Sequence, residues 1–199
     1  MSNIKSGIIV LGISLAVALL SGCAHRIAFE DVRYSTGAIK QDAAVVAVID
    51  DTTLNNTVTI RSFMTGIAHS WDVQPGEMLK QVAEIELPQM FSSYEFSPGK
   101  QDPNLTGRRL LVNMTIPSYV FEDFHATISV RAVAQAAGSR VLFDRTYKAE
   151  GESKGAKMFW AGAFGMKSSI RQSSLDAYKK IFAEMRVDLA KAVESLPQK

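Results

Sequence analysis

The chain has 199 residues, 47% of them hydrophobic, and a formal net charge of +2 at pH 7. This length suits one ordinary domain, and the near-neutral charge argues against a nucleic-acid-binding protein, which needs a basic face. With one cysteine and three histidines far apart in the sequence, we expect neither an internal disulfide nor a Cys/His metal cluster.

The start of the chain has the three parts of a secretory signal peptide. Lys5 precedes an apolar run that ends at Leu20, and Ser21, Gly22 and Cys23 follow directly. The run is shorter than the ~20 residues that a membrane-spanning helix needs. The alternatives are a plain signal peptide with an incidental cysteine, or an uncleaved anchor.

The sequence Leu20-Ser21-Gly22-Cys23 resembles the lipobox of bacterial lipoproteins. The resemblance implies removal of residues 1–22, a diacylglycerol on the Cys23 thiol, and acylation of the new amino terminus. Three acyl chains, at about 0.8 kcal/mol per buried methylene, exceed what stable anchoring requires. Because Ala24, and not the aspartate common in inner-membrane lipoproteins, follows the cysteine, we expect the periplasmic face of the outer membrane.

The region after Cys23 divides into a predicted tether and one predicted domain. Residues 23–42 carry scattered charges and few paired apolar positions, so we interpret them as a tether in which a short strand over 27–34 is an open alternative. The domain covers residues 43–199. It opens with the apolar run Ala43–Ile49, which is typical of a strand buried on both faces.

Two amphipathic helices and a long hairpin are predicted in the domain. Pro75 opens the first helix, which Pro88 should kink or end near Leu87. Alternating residues predict an antiparallel hairpin that turns at Ala137-Gly138-Ser139. A capping box at Ser173 predicts the start of the last helix. Two helices on one face of an antiparallel sheet would make an α+β two-layer sandwich.

No catalytic motif is present, so we expect a protein that is not an enzyme and has no cofactor and no metal. Asp50-Asp51 could form a cation site, but aspartates after a strand are more often turn residues. Asp123 and His125 could meet at the start of a strand, although a solvated hairpin end is the favoured interpretation.

A segment rich in aromatic residues, 155–167, lies between the hairpin and the last helix. Aromatic and methionine side chains among glycines and lysines are typical of a membrane or protein contact. The alternatives are a satellite core under the sheet or the beginning of the last helix. The candidate contact residues are Met158, Phe159, Trp160, Phe164 and Met166.

The element order over residues 106–195 is similar to YajG-type outer-membrane lipoproteins and to LptE-like accessory lipoproteins of export systems. The residues that carry the similarity are Tyr147–Gly151 at a strand end and Ala177-Tyr178 and Asp188-Leu189 in the last helix. The resemblance implies a non-enzymatic periplasmic accessory that acts through a membrane-embedded protein partner or by self-assembly.

The leading hypothesis is therefore a lipid-anchored accessory protein of the cell envelope, a structural or binding component of an outer-membrane assembly, export or secretion system. The alternative is a carrier that binds an apolar ligand or lipid between the sheet and the helices. A carrier would need a cavity near residues such as Val130, Phe143 and Phe182, whereas the leading hypothesis predicts a filled core.

Overall fold

The computed structural model describes residues 23–29, 32–61, 69–99, 107–153 and 155–197, so the predicted signal peptide, residues 1–22, lies outside the described residues. The described residues form eight strands, three α-helices and a 3-10 turn at Ala137–Ser139. In chain order the strands and helices are β1 (Cys23–Ile27), β2 (Gln41–Ile49), α1 (Asp51–Asn55), β3 (Val58–Arg61), β4 (His69–Val73), α2 (Pro75–Met90), β5 (Phe91–Pro98), β6 (Arg109–Glu122), β7 (His125–Ala136), β8 (Arg140–Glu150) and α3 (Gly155–Glu194).

The larger sheet has five strands in the order β5-β2-β6-β7-β8. The predicted hairpin is confirmed, since β7 and β8 pair antiparallel and turn at Ala137–Ser139. The prediction of a purely antiparallel sheet is wrong, because β2 pairs in parallel with both β5 and β6. The α+β class holds, with a mixed sheet at its centre.

The connection from β2 to β5 contains α1, β3, β4 and α2, so it is long enough for the crossover that a parallel pair requires. Parallel strands need such a connection and are covered on their faces, which agrees with the continuous apolar run of β2. Val45, Ala47 and Ile49 of β2 face the main core, and Val46 and Val48 belong to a small cluster on the opposite face.

A second sheet of three strands has the order β1-β4-β3. In this small sheet β1 pairs in parallel with β4, and β3 pairs antiparallel with β4. Ile27 is fully buried and Phe29 is 7% exposed, both in the main core cluster. Part of the predicted tether, residues 23–42, therefore packs into the domain.

α2 continues past its internal proline, and α3 starts earlier than the capping pattern predicts. Pro88 lies inside α2, which runs two residues beyond it to Met90. The predicted helix start at Ser173 is wrong, because α3 begins at Gly155. Ser173 is fully buried in mid-helix, and its Oγ accepts a hydrogen bond from the Ala126 backbone N–H at 2.8 Å. The Ser-x-x-Asp pattern thus reflects a helix–hairpin contact and not a helix cap.

One hydrophobic core lies between the larger sheet and the helices α2 and α3. Tyr178 of α3 is fully buried and donates a hydrogen bond to the backbone oxygen of Pro75 at 2.8 Å. Val130 and Phe182 are fully buried in the same cluster, and Phe143 packs against it. Residues on both sides of this layer thus fill the space between them.

Candidate functional site

Cys23 is the first residue of β1, and the last residue of that strand, Ile27, lies at the end of the domain where α2 begins. Cys23 pairs with His69 and Ile27 pairs with Val73, and α2 starts two residues after Val73. Arg26 donates a hydrogen bond to the side chain of Gln74. We call this end of the domain the anchor end, and the opposite end, where α2 stops and β2 begins, the far end.

Further along the chain, residues 34–36 lie between α2 and α3 and make hydrogen bonds to both helices, and β2 then begins at Gln41 at the far end. Tyr34 donates a hydrogen bond to Glu86 of α2 at 2.9 Å. The backbone N–H of Thr36 donates a hydrogen bond to Gln89 Oε1 at 2.8 Å, and Gln89 Nε2 donates one to the backbone oxygen of Tyr34 at 3.1 Å. Arg186 of α3 donates a hydrogen bond to the backbone oxygen of Thr36 at 3.2 Å. We call these five residues the clamp.

Glu86 is the central residue of the clamp. Its side chain is fully buried, and Oε2 lies 3.1 Å from Arg186 Nη2 as an ion pair without a well-aligned hydrogen bond. Burial raises the pKa of Glu86, and the opposing effects of Tyr34 and Arg186 do not cancel it. Burial and the Glu86 carboxylate raise the pKa of Tyr34 in turn. The buried Glu86 carboxyl group therefore depends on two partly buried partners, Tyr34 and Arg186.

The clamp was not predicted from the sequence. Tyr34, Glu86 and Arg186 are separated by 52 residues and more along the chain, and the glutamate belongs to no motif. The one available signal was the position of Glu86 among the apolar residues of α2, because a charged residue on a core face usually has a partner.

The predicted contact segment forms the first turns of α3, which is one of the alternatives stated for it. Its backbone is helical from Gly155 onward. Met166 is 3% exposed and belongs to the main core. The side chains of Met158, Phe159, Trp160 and Phe164 lie outside the described part of the structure. Their role as a contact surface stays a prediction.

The start of α3 lies at the anchor end, beyond the larger sheet. Ser169 Oγ donates to the Phe124 oxygen at 3.4 Å, at the turn between β6 and β7. Tyr178 bonds to Pro75 at the start of α2. Residues 155–168 precede these contacts and add about 20 Å of helix. The start of α3 and the last residues of β1, four residues after Cys23, thus belong to the same end of the molecule.

Two surface grooves flank residues 32–41. One, of about 440 Å³, has a basic rim of Arg33, Arg171 and Lys179, and Lys179 Nζ lies 4.6 Å from the centre of the Tyr34 ring. The other, of about 410 Å³ at the far end, is mainly apolar and includes Ile39 and Val187, which are 84% and 54% exposed.

The two candidate carboxylate sites have structural explanations. Asp50 caps α1: its Oδ1 accepts from the Thr53 N–H and its Oδ2 from the Thr53 hydroxyl, both at 2.8 Å. His125 Nδ1 lies 3.3 Å from the backbone oxygen of Asp123, and its Nε2 lies 3.5 Å from Glu150. Among the residues that the structure describes, no group of three or more His, Cys, Asp or Glu is placed to hold a metal ion.

Within the same described ranges, no helix combines the length and the apolar character needed to cross a bilayer.

The sequence matches no protein-family model and no curated protein. The fold is similar to the crystal structure of a DUF330-family protein from Xanthomonas campestris, with a TM-score of 0.54 and 10% identity over 87% of this chain and 100% of that one. A hypothetical protein from Chlamydia trachomatis has a TM-score of 0.39 and 10% identity over 77% of this chain and 99% of that one. A candidate lipoprotein from Caulobacter crescentus has a TM-score of 0.39 and 11% identity over 61% of this chain and 85% of that one.

At 10% identity, the Xanthomonas campestris structure shows a shared fold and nothing about function. The likeness to YajG-type and LptE-like lipoproteins stays a prediction from element order.

Proposed function

We propose that this chain is a lipid-anchored periplasmic accessory protein of the cell envelope, which serves as a structural or binding component of an outer-membrane assembly, export or secretion system. In this proposal Cys23 carries the lipid, and the domain presents a surface to a membrane-embedded partner or to other copies of itself. The domain contributes binding and no chemistry of its own.

The observation that carries the proposal is the sequence Leu20-Ser21-Gly22-Cys23. In a chain with a single cysteine, a lipobox at that cysteine is the arrangement expected when cleavage and lipidation define the mature amino terminus. Three acyl chains would hold such a domain at a membrane without a spanning helix.

A filled core favours this role over that of a lipid carrier. Val130 and Phe182, which would line a cavity between sheet and helices, are fully buried in one cluster, and Phe143 packs against it. The two grooves described above lie at the surface beside residues 32–41. A ligand between the layers would have to displace side chains that already contact one another.

Metabolic labelling with palmitate tests the proposal. The full-length chain should incorporate the label and fractionate with the outer membrane, whereas Cys23→Ser should do neither. Ala24→Asp is the matched control for sorting between the two membranes: this variant should incorporate the label and fractionate with the inner membrane. An unlabelled wild-type protein, or a Cys23→Ser variant that matures and fractionates unchanged, contradicts the proposal.

A further inference from the structure

We infer that the domain is held directly against the bilayer at its anchor end and is not suspended from a flexible tether. The partner of this surface is the phospholipid headgroup layer. The inference rests on the proposed lipidation of Cys23, and it adds where the domain sits and which end faces the lipid.

The residue proposed to carry the lipid, Cys23, is close to the hydrophobic core in the chain. Ile27, fully buried, lies four residues after Cys23. Four extended residues span at most about 14 Å. The acyl chains on Cys23 enter the bilayer, so the hydrophobic core of the domain lies within roughly that distance of the membrane surface.

The clamp prevents the chain after β1 from increasing the distance between Cys23 and the domain. Tyr34 and Thr36 are held by α2 and α3 through hydrogen bonds of 2.8 to 3.2 Å, one of them to the buried Glu86 carboxylate. β1 is held by its pairing with β4 and by the buried side chain of Ile27, and the clamp fixes the chain again from Tyr34 onward. A flexible tether over residues 23–42 would instead have a root-mean-square reach of about 25 Å.

The orientation of the domain follows. The anchor end contains the last residues of β1, four residues after Cys23, together with the turn between β6 and β7 and the start of α3. The first turns of α3 contain Trp160 between Lys157 and Lys167 in the sequence, a combination suited to the membrane interface. The far end, with the end of α3 and its exposed Glu194, points into the periplasm.

Energy transfer from two single labels to dye-labelled lipid in vesicles tests the inference on the full-length lipidated protein. Ser153→Cys places a donor at the anchor end, since Ser153 contacts Asp123 at the β6–β7 turn. Glu194→Cys places it at the far end, about 30 Å away along α3 from Ser173, which contacts Gly151. Because lipid occupies Cys23, each variant has one free thiol.

The matched control inserts fifteen Gly/Ser residues directly after Ala24, which keeps the lipobox and the residue that follows it. In the protein without the insertion, transfer efficiency should be several-fold higher from position 153 than from position 194. In the control, the added reach of about 20 Å should bring the two efficiencies close together.

The outcomes separate the two proposals. If palmitate is incorporated but the protein without the insertion shows equal transfer efficiency from positions 153 and 194, the domain is connected to the membrane by a flexible tether. The inference is then wrong, while the proposed function stands. If position 194 gives the higher efficiency, the orientation is reversed and the inference is also wrong. If palmitate is not incorporated, the lipid anchor is absent and both are refuted.

Discussion

Removing one hydroxyl group from the clamp should destabilise the domain measurably. Tyr34→Phe keeps the ring and its contact with Lys179 but deletes the hydrogen bond to Glu86 Oε1, which is 2.9 Å long. A hydrogen bond to a charged group contributes about 1.5–3 kcal/mol, and its loss leaves one oxygen of a fully buried carboxylate without a donor. We expect the free energy of unfolding to fall by about 2 kcal/mol, or Tm by about 4–8 °C.

Tyr94→Phe is a matched control in the same domain. The Tyr94 hydroxyl is buried and has no hydrogen-bond partner among the described residues, so its removal should be neutral or slightly stabilising. Urea unfolding of the unlipidated Cys23→Ser form, followed by circular dichroism, gives both values. If Tyr34→Phe loses no more stability than Tyr94→Phe, at an equal m value, Glu86 is not a buried partner of Tyr34 and the description of the clamp is wrong.

Two further predictions concern packing and pH. Gly151→Ala should lower the free energy of unfolding by about 3 kcal/mol or more, since a Cβ there would lie 1.9 Å from the Ser173 backbone oxygen. Thermal unfolding measures this loss, with Ser153→Ala as a control variant whose stability should be nearly unchanged. Burial raises the pKa of Glu86, so the folded state binds its proton more tightly than the unfolded chain does. The stability of the wild type relative to Glu86→Gln should therefore rise as the pH falls from neutral and level off below the ordinary value of 4.5; a relative decline on acidification would contradict this assignment.

Local patterns were sufficient to predict the elements in which neighbouring residues determine the structure. The alternation of β7 and β8 predicted their hairpin, and Gly138, with a φ of +70°, occupies its turn as a glycine should. Pro75 correctly predicted the start of α2. In these places the side-chain period and the turn chemistry act over a few residues, so the sequence alone carries the information.

The remaining features depend on partners far away in the chain. β5, with the sequence FSSYEFSP, has few branched apolar residues and is a strand because β2 pairs with its edge. The helix before Ser173 contains glycines that lower its intrinsic propensity, so its pattern predicted a later start. The clamp required knowledge that Thr36 and Arg186 meet across 150 residues of sequence. Contacts of this kind follow from the assembled fold.

That span of 150 residues also sets an order of events. A hydrogen bond between Thr36 and Arg186 cannot form until α3 has been synthesised and has docked. Until then residues 34–36 lack part of the contacts that hold them between α2 and α3. Under the proposed function, lipidation of Cys23 during export would therefore take place before this part of the chain is fixed to the domain.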